Sequence, residues 1–268
     1  MADAEAIKQR QRHVWGLGDY SVLSGQLAPA AVELCDACAV SAGQEVLDVA
    51  AGHGNFALAC AREGASVVAS DLVPRMVELG RARTDAEGYD VEWVEADAEA
   101  LPFEDARFDC VGSVFGAFLT PQPEVVASEL FRVVRPGNTV GLTAWAADSV
   151  FIELFGLARR LTPPPPGAAL PEEWGDEATA RERLADLAAH VEVERRTLAW
   201  TAGSPEELDA QLADSAPSYA AARETLSEGQ FGELRGETLE LLRRLNTADD
   251  GSLRIDTDYL VIVARKRG

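Results

Sequence analysis

No run of about 18 consecutive apolar residues occurs anywhere in the sequence, so no membrane-spanning helix is expected. The opening MADAEAIKQRQRH lacks the apolar segment of a signal peptide, which leads to the expectation of no secretory leader and a cytoplasmic location. Cysteine is scarce, with four residues, Cys35, Cys38, Cys60 and Cys110, among 268. That usage fits free thiols in a reducing compartment better than a disulfide framework. Cys35-Asp-Ala-Cys38 has metal-like spacing, but no second CxxC and no histidine pair accompany it. It reads as helix packing, with Val32, Cys35, Cys38 and Ala39 on one face, and no metal site is expected.

Basic residues are also few: 24 Lys+Arg against 45 Asp+Glu leave a net charge of −21. Nucleic-acid binders recruit lysine and arginine to displace counterions, so nucleic acid and anionic membrane surfaces are poor partners. Cationic small molecules are not disfavoured. Only His13, His53 and His190 are available as imidazole bases. His53 reads as a loop residue, His190 as a surface residue and His13 as part of an N-terminal helix, so none is assigned catalysis. There are no internal repeats. The remaining composition, 47% hydrophobic and 26% charged, is that of a globular chain long enough to bury a core.

From Glu45 onward short apolar runs alternate with helical stretches. EVLDVA (45–50), SVVASD (66–71), VEWVEA (91–96), FDCVGSVF (108–115) and NTVGLTAW (138–145) read as strands. Between them FALACAREG (56–64) reads as a helix closed by Gly64, Pro74 opens another through Glu87, and PEVVASELFRVV (123–134) stops before the turn at Pro136-Gly137. This alternation predicts βαβ units and a doubly wound, mostly parallel α/β sheet. After residue 150 the pattern changes. Pro163 to Pro166 form a stiff extended connector, followed by a helix over 176–190 and a strand over 191–200. Ser204 and Pro205 start a further helix as cap and first residue. YLVIVA (259–264) reads as a final strand, with the helical segment before it inserted into the same sheet.

The chemistry concentrates in VLDVAAGHGNFAL (46–58), where a buried strand runs through a small-residue loop into a helix. Glycines there let the backbone approach a ligand, and ligands gather at the carboxyl ends of strands in such sheets. Gly52-His-Gly54-Asn-Phe-Ala57 also fits the dinucleotide fingerprint, with Asp71 following at the right distance. Asp48 argues against a diphosphate, because a carboxylate at the strand end sits badly beside it. A carboxylate can instead organise a loop for a cationic ligand. Asp71 can accept from two ribose hydroxyls, and Asp97, past the third strand, from the exocyclic amine of adenine. The plainer alternative is that Asp48 and Asp97 are caps and Asp71 a solvated turn residue.

VLDVAAGHGN, VVASDLVPRMVELGRAR, VEADAEALPFEDARFDCV and ELFRVVRPGNTVGLTAW together resemble the class I S-adenosylmethionine-dependent methyltransferases. The likeness is to the small-molecule branch that includes the ubiquinone and menaquinone biosynthesis enzymes. It implies a Rossmann-like sheet of seven strands whose last is antiparallel, with a helical insert or lid. It divides the chain into an N-terminal lid segment (1–44), a cofactor-binding core (45–150), substrate-side helices with strand six (151–250) and a closing strand (251–268). It also implies S-adenosylmethionine as cofactor, S-adenosylhomocysteine as product and a small-molecule acceptor for O-, C- or N-methylation. Transferred residue by residue, it puts the amino-acid part of the cofactor over Ala50, Ala51 and Gly52, and the ribose on Asp71. Leu72 and Met76 would flank adenine, whose amine would meet Asp97 and the Ala98 amide. Ser113 to Phe115 would face the methionine portion, and Tyr20 would reach over from the N-terminal segment. Ala50 departs from the glycine usual at the first loop position, and Asn138 from the second glycine after Arg-Pro; neither removes a ligand group.

Aromatic residues Trp15, Tyr20, Phe115, Phe118 and Trp145 are candidates to line an apolar pocket around a sulfonium. Gly16 and Gly18 let the N-terminal segment bend as a lid. Two other functions use the same sheet type. A non-catalytic S-adenosylmethionine-binding protein would need the same residues, whereas an NAD(P)-dependent oxidoreductase is disfavoured by Asp48, Asp97 and the lack of a Tyr-x-x-x-Lys pair.

Overall fold

The computed structural model describes residues 4–17, 19–161, 163 and 169–268. The chain divides into two compact units, one formed by 28–147, 169–196 and 259–268, the other by 1–27, 148–168 and 197–258. The strands are β1 (Glu45–Val49), β2 (Ser66–Asp71), β3 (Val91–Glu95), β4 (Phe108–Val114), β5 (Val134–Trp145), β6 (Ala188–Ala202) and β7 (Leu253–Lys266). They form one seven-stranded sheet in the order β3-β2-β1-β4-β5-β7-β6. β1 to β5 pair in parallel and β7 runs antiparallel to β5, which is the doubly wound sheet with a reversed last strand expected from the sequence. Strand order reverses direction between β1 and β4, so the loops leaving those two strands open a crevice at their carboxyl ends.

In the sheet-bearing unit β1 is buried at Val46, Leu47, Asp48 and Val49, a continuous run typical of a parallel strand covered on both faces. The helices are α1 (Ala4–Trp15), α2 (Ser21–Ala37), α3 (Asn55–Arg62), α4 (Pro74–Ala86), α5 (Pro123–Val133), α6 (Val150–Leu161), α7 (Glu177–Leu184), α8 (Pro205–Ser215), α9 (Pro217–Thr225) and α10 (Glu228–Leu245). Proline stands in the first turn of α4, α5, α8 and α9, where a missing N–H loses nothing. Ser204 accepts from the Glu207 amide at 3.1 Å, the cap read from the sequence.

Three sequence readings need correction. The helix expected over 123–134 ends at Val133, and β5 begins at Val134 and carries Pro136-Gly137 within it. Gly137 takes φ +76, and the β4–β5 register shifts between Phe108 and Cys110, so the turn is absorbed as an irregularity of the strand. The helix expected over 176–190 stops at Leu184, and β6 takes up the chain from Ala188. The buried face of α2 is Ala31, Leu34 and Cys35, with Cys38 buried just past the helix end, whereas Val32 is 44% exposed. Ala39 lies beyond the helix and is exposed as well. Of the proline run only Pro163 is described, and it is exposed; Pro164 to Pro166 fall outside the described residues.

All four cysteines are free and buried. The neighbouring Cys110 thiol and burial push the Cys38 thiol up, and burial pushes the Cys60 thiol up. Among the described residues no group of three or more His, Cys, Asp or Glu side chains is arranged to hold a metal, and no helix is long and apolar enough to cross a membrane.

Candidate functional site

The loop between β1 and α3 is built by backbone conformation. Ala50, Gly52 and Gly54 take positive φ values of 52°, 53° and 77°. A left-handed alanine is strained, and Ala50 holds that geometry at the position where a glycine would be free. The Ala51 amide donates to the Ser70 carbonyl at 2.9 Å, tying the loop to the end of β2. Gly54 stands at the N-cap of α3 without a side chain of its own to cap it. Asp48 supplies the missing acceptor from the strand: its Oδ2 takes the Ala57 amide at 2.9 Å. The capping role weighed for Asp48 is therefore present.

The capping arrangement leaves Asp48 half satisfied. It is 1% exposed, and Oδ1 accepts no hydrogen bond. Burial pushes its carboxyl up to about 8, with the nearby Asp71 charge adding to the rise. Asp71 is 8% exposed, so it is not a solvated turn residue. Its Oδ2 accepts from the Gly52 amide at 2.8 Å and its Oδ1 from the Val73 amide at 2.9 Å, so it clamps the glycine loop to the start of α4. Those amides favour its charged form, but burial outweighs them and lifts it to about 6. Two buried carboxylates on neighbouring strand ends leave a local deficit of positive charge.

The other sequence candidates fall around the same sheet edge. The Ala96 amide donates to the Asp71 carbonyl at 2.9 Å, bringing the segment that carries Asp97 and Ala98 to the end of β2. Asp97 Oδ1 accepts from the Glu99 amide at 2.9 Å, a local turn of the capping kind. Ala98 and Met76 are buried and Leu72 is half-buried. Ser113 is fully buried, donating to the Val49 carbonyl at 2.6 Å and accepting from the Ala117 amide at 2.9 Å, so it ties the β4 end to the β1 end. Phe115 takes a left-handed φ of 54° and donates its amide to Thr143 Oγ1 at 3.0 Å. Its ring stacks on Trp145 at 4.0 Å and meets Phe118 and Tyr259 edge-on. These rings are all under 9% exposed, one packed aromatic cluster. Trp15 and Tyr20 belong to the other unit, where they meet edge-on at 5.2 Å. His13 is paired there with Glu224 at 2.7 Å, the His53 carbonyl accepts from Arg83 in the loop, and His190 is exposed.

Three residues that sequence reasoning passed over shape this edge. A Cβ on Gly116 would lie 2.5 Å from the Ala50 carbonyl oxygen and 2.6 Å from the Ala50 Cβ, so only glycine allows the β4 loop to approach the β1 loop. Arg83 of α4 donates to the His53 carbonyl at 3.0 Å and to Asn55 Oδ1 at 2.8 Å, pinning the far side of the glycine loop. Glu99, 8% exposed, accepts from the Gln122 amide and side chain at 2.7 Å each. Gly116 in the loop after β4, Arg83 on α4 and Glu99 carry no local sequence signal of these roles.

Residues 46–137 match the family described as "Methyltransferase domain". An uncharacterised protein of Mycobacterium tuberculosis is 32% identical over 271 residues, covering 99% of this chain and 97% of its own. Demethylmenaquinone methyltransferase of Clavibacter sepedonicus is 40% identical over 114 residues, covering 42% of this chain and 46% of its own. Among solved structures, phosphoethanolamine N-methyltransferase 2 of Haemonchus contortus, in complex with phosphomonomethylethanolamine and S-adenosylhomocysteine, superposes with a TM-score of 0.59 at 20% identity. That match covers 90% of this chain and 53% of the other and shows a shared fold.

Proposed function

Because the chain belongs to the class I S-adenosylmethionine-dependent methyltransferase family, we propose that it transfers the methyl group of S-adenosylmethionine to a small-molecule acceptor. The observation that carries the reading is the pair of buried carboxylates beside the left-handed loop. Asp48 Oδ1 is buried and unpartnered, and both Asp48 and Asp71 are held above the ordinary carboxylate range. A ligand that brings positive charge and hydroxyl donors suits this edge; a pyrophosphate does not. The residues present therefore fit S-adenosylmethionine, which when bound supplies a methyl group already activated on a sulfonium.

On this reading Ala50, Ala51 and Gly52 present backbone to the amino-acid part, and Asp71 keeps lone pairs for the ribose hydroxyls beyond the two amides it already accepts. Leu72 and Met76 bound the adenine, with Asp97 and the Ala98 amide at its amine. Ser113 and Phe115 line the methionine side, and Tyr20 is the contribution of the N-terminal segment (1–44). The acceptor side is assigned to 151–250, since the 45–150 segment is spent on the cofactor. An in-line displacement needs alignment and exclusion of water more than acid–base help, and such positioning can supply about 7–11 kcal/mol. None of the three histidines is required for it.

The test is incubation of the protein with methyl-tritiated S-adenosylmethionine and a cell extract, followed by separation of small molecules from macromolecules. Label is expected in a small-molecule fraction and to be lost with Asp71→Ala. Label confined to protein or nucleic acid would overturn the acceptor class. Tight cofactor binding with no labelled product of any kind would favour a binding protein that transfers nothing.

A further inference from the structure

The helical unit carries a half-open pocket of about 470 Å³ lined by α1, α6 and α9. Its space comes from short side chains: Ala158 of α6 and Ala221 and Ala222 of α9 face Ala6 of α1. Ile7, Val14 and Trp15 complete the apolar surface on the α1 side. A volume of this size accepts a small organic molecule. Arg10 is the one ionisable side chain among the residues lining it.

Arg10 differs from every other arginine of the chain. Among the described residues each of the others has a hydrogen bond, an ion pair or another electrostatic partner, and Arg10 has none. The helix gives the reason. Its neighbours three and four residues away are Ala6, Ile7, His13 and Val14, and none carries a carboxylate. The nearby acids are committed elsewhere, Glu5 to Arg12 at 3.3 Å and Glu224 to His13 at 2.7 Å. In a chain of net charge −21, an uncompensated guanidinium at the wall of an alanine-lined pocket is complementary to an anion with an apolar body.

We propose that this pocket binds an apolar molecule bearing one carboxylate, its body against the alanine walls and its carboxylate on Arg10. Ala158, Ser218, Ala221 and Ala222 lie in the 151–250 segment assigned above to the acceptor, so the inference rests on that reading for the pocket's role, while binding at Arg10 and binding of S-adenosylhomocysteine at the strand-end loop are measured separately. The probes are 2-naphthoate and its neutral counterpart 2-naphthylmethanol, titrated calorimetrically into the full chain. Naphthoate is expected to bind saturably at one site, roughly ten-fold tighter than the alcohol, the share expected of a charge-assisted hydrogen bond. Arg10→Gln, at an exposed position, should erase that preference by weakening naphthoate alone, with S-adenosylhomocysteine binding unchanged. Ala158→Phe should weaken both probes by filling the pocket. No saturable naphthoate binding to the wild-type chain, or a preference that survives Arg10→Gln, overturns the proposal.

Discussion

The strand-end loop and the helical unit hold their charges in opposite ways. At the strand ends Asp48 and Asp71 are 1% and 8% exposed and, among the described residues, accept from backbone amides without a cationic partner, Asp48 Oδ1 accepting nothing. In the helical unit several acids lie at the surface in ion pairs, such as Glu206 with Arg243 at 2.6 Å, both side chains more than half exposed, and the buried Asp209 is paired with the Arg235 guanidinium. The first arrangement costs stability, because burial disfavours the charged forms and the two carboxylates oppose one another. The second is nearly neutral, since exposed pairs contribute about 0–1 kcal/mol. The proposed cofactor site at the sheet edge is where a bound ligand would complete the costly arrangement.

The largest effect is expected where the two strand-end loops touch. Gly116→Val would drive a side chain into the Ala50 carbonyl, displacing the left-handed loop. Overpacking of about 1–3 kcal/mol would appear as a loss of S-adenosylhomocysteine affinity of roughly 10–100-fold and as a lowered melting temperature. Affinity retained in calorimetry would mean that the loop does not form the binding surface.

Next comes pH. With folded values raised to about 8 for Asp48 and about 6 for Asp71, against an ordinary value of 3.8, the native chain holds more protons than the unfolded one across that window. Stability from these groups should thus be fully present below about pH 4 and fall as pH rises from about 4 to 8. Asp48→Asn keeps an acceptor for the Ala57 amide and removes the buried acid, so it should flatten this slope and gain about 1–3 kcal/mol at pH 8. Urea unfolding at a series of pH values measures it; a wild-type slope unchanged in the variant would contradict the burial argument. In the same way, a cationic ligand beside Asp48 should release protons near neutral pH, seen as a buffer-dependent binding heat.

Smaller still is Arg83→Ala, which frees the His53 carbonyl and the Asn55 side chain. Each lost hydrogen bond is worth about 1 kcal/mol, so affinity for S-adenosylhomocysteine should fall several-fold while the melting temperature moves by only a few degrees. Arg243→Ala sets the lower end of the scale: stability is expected to change by less than about 0.5 kcal/mol in chemical denaturation. A larger loss there would erase the distinction between the two regions.

Much of the sheet-bearing unit was legible in the sequence because its signals are local. The run from Val46 to Leu58 places strand, loop and helix within one motif, and Asp71 follows at the end of the next strand. What was illegible depends on contacts between distant segments. Gly116 matters because of Ala50, 66 positions earlier, and Arg83 because of His53 and Asn55. The α2 face was misassigned by a single step because two helical patterns share Cys35 and Cys38; only packing selects Ala31 and Leu34 over Val32 and Ala39. The turn at Pro136-Gly137 was a correct local signal whose outcome, a strand irregularity, was decided by pairing with β4. In the helical unit the pocket at Arg10 left no motif, since it is defined by short side chains on three separate helices.

The central claim is that the buried strand-end carboxylates hold an adenosine sulfonium cofactor. It is tested most directly by calorimetric titration of S-adenosylmethionine, S-adenosylhomocysteine and NAD into the wild-type chain and into Asp71→Ala. Binding of the first two but not of NAD is predicted, weakened roughly 10–100-fold in the variant by the buried ligand donors left unpaired. Equal affinity in the wild type and the variant, or binding of NAD in preference, would contradict it.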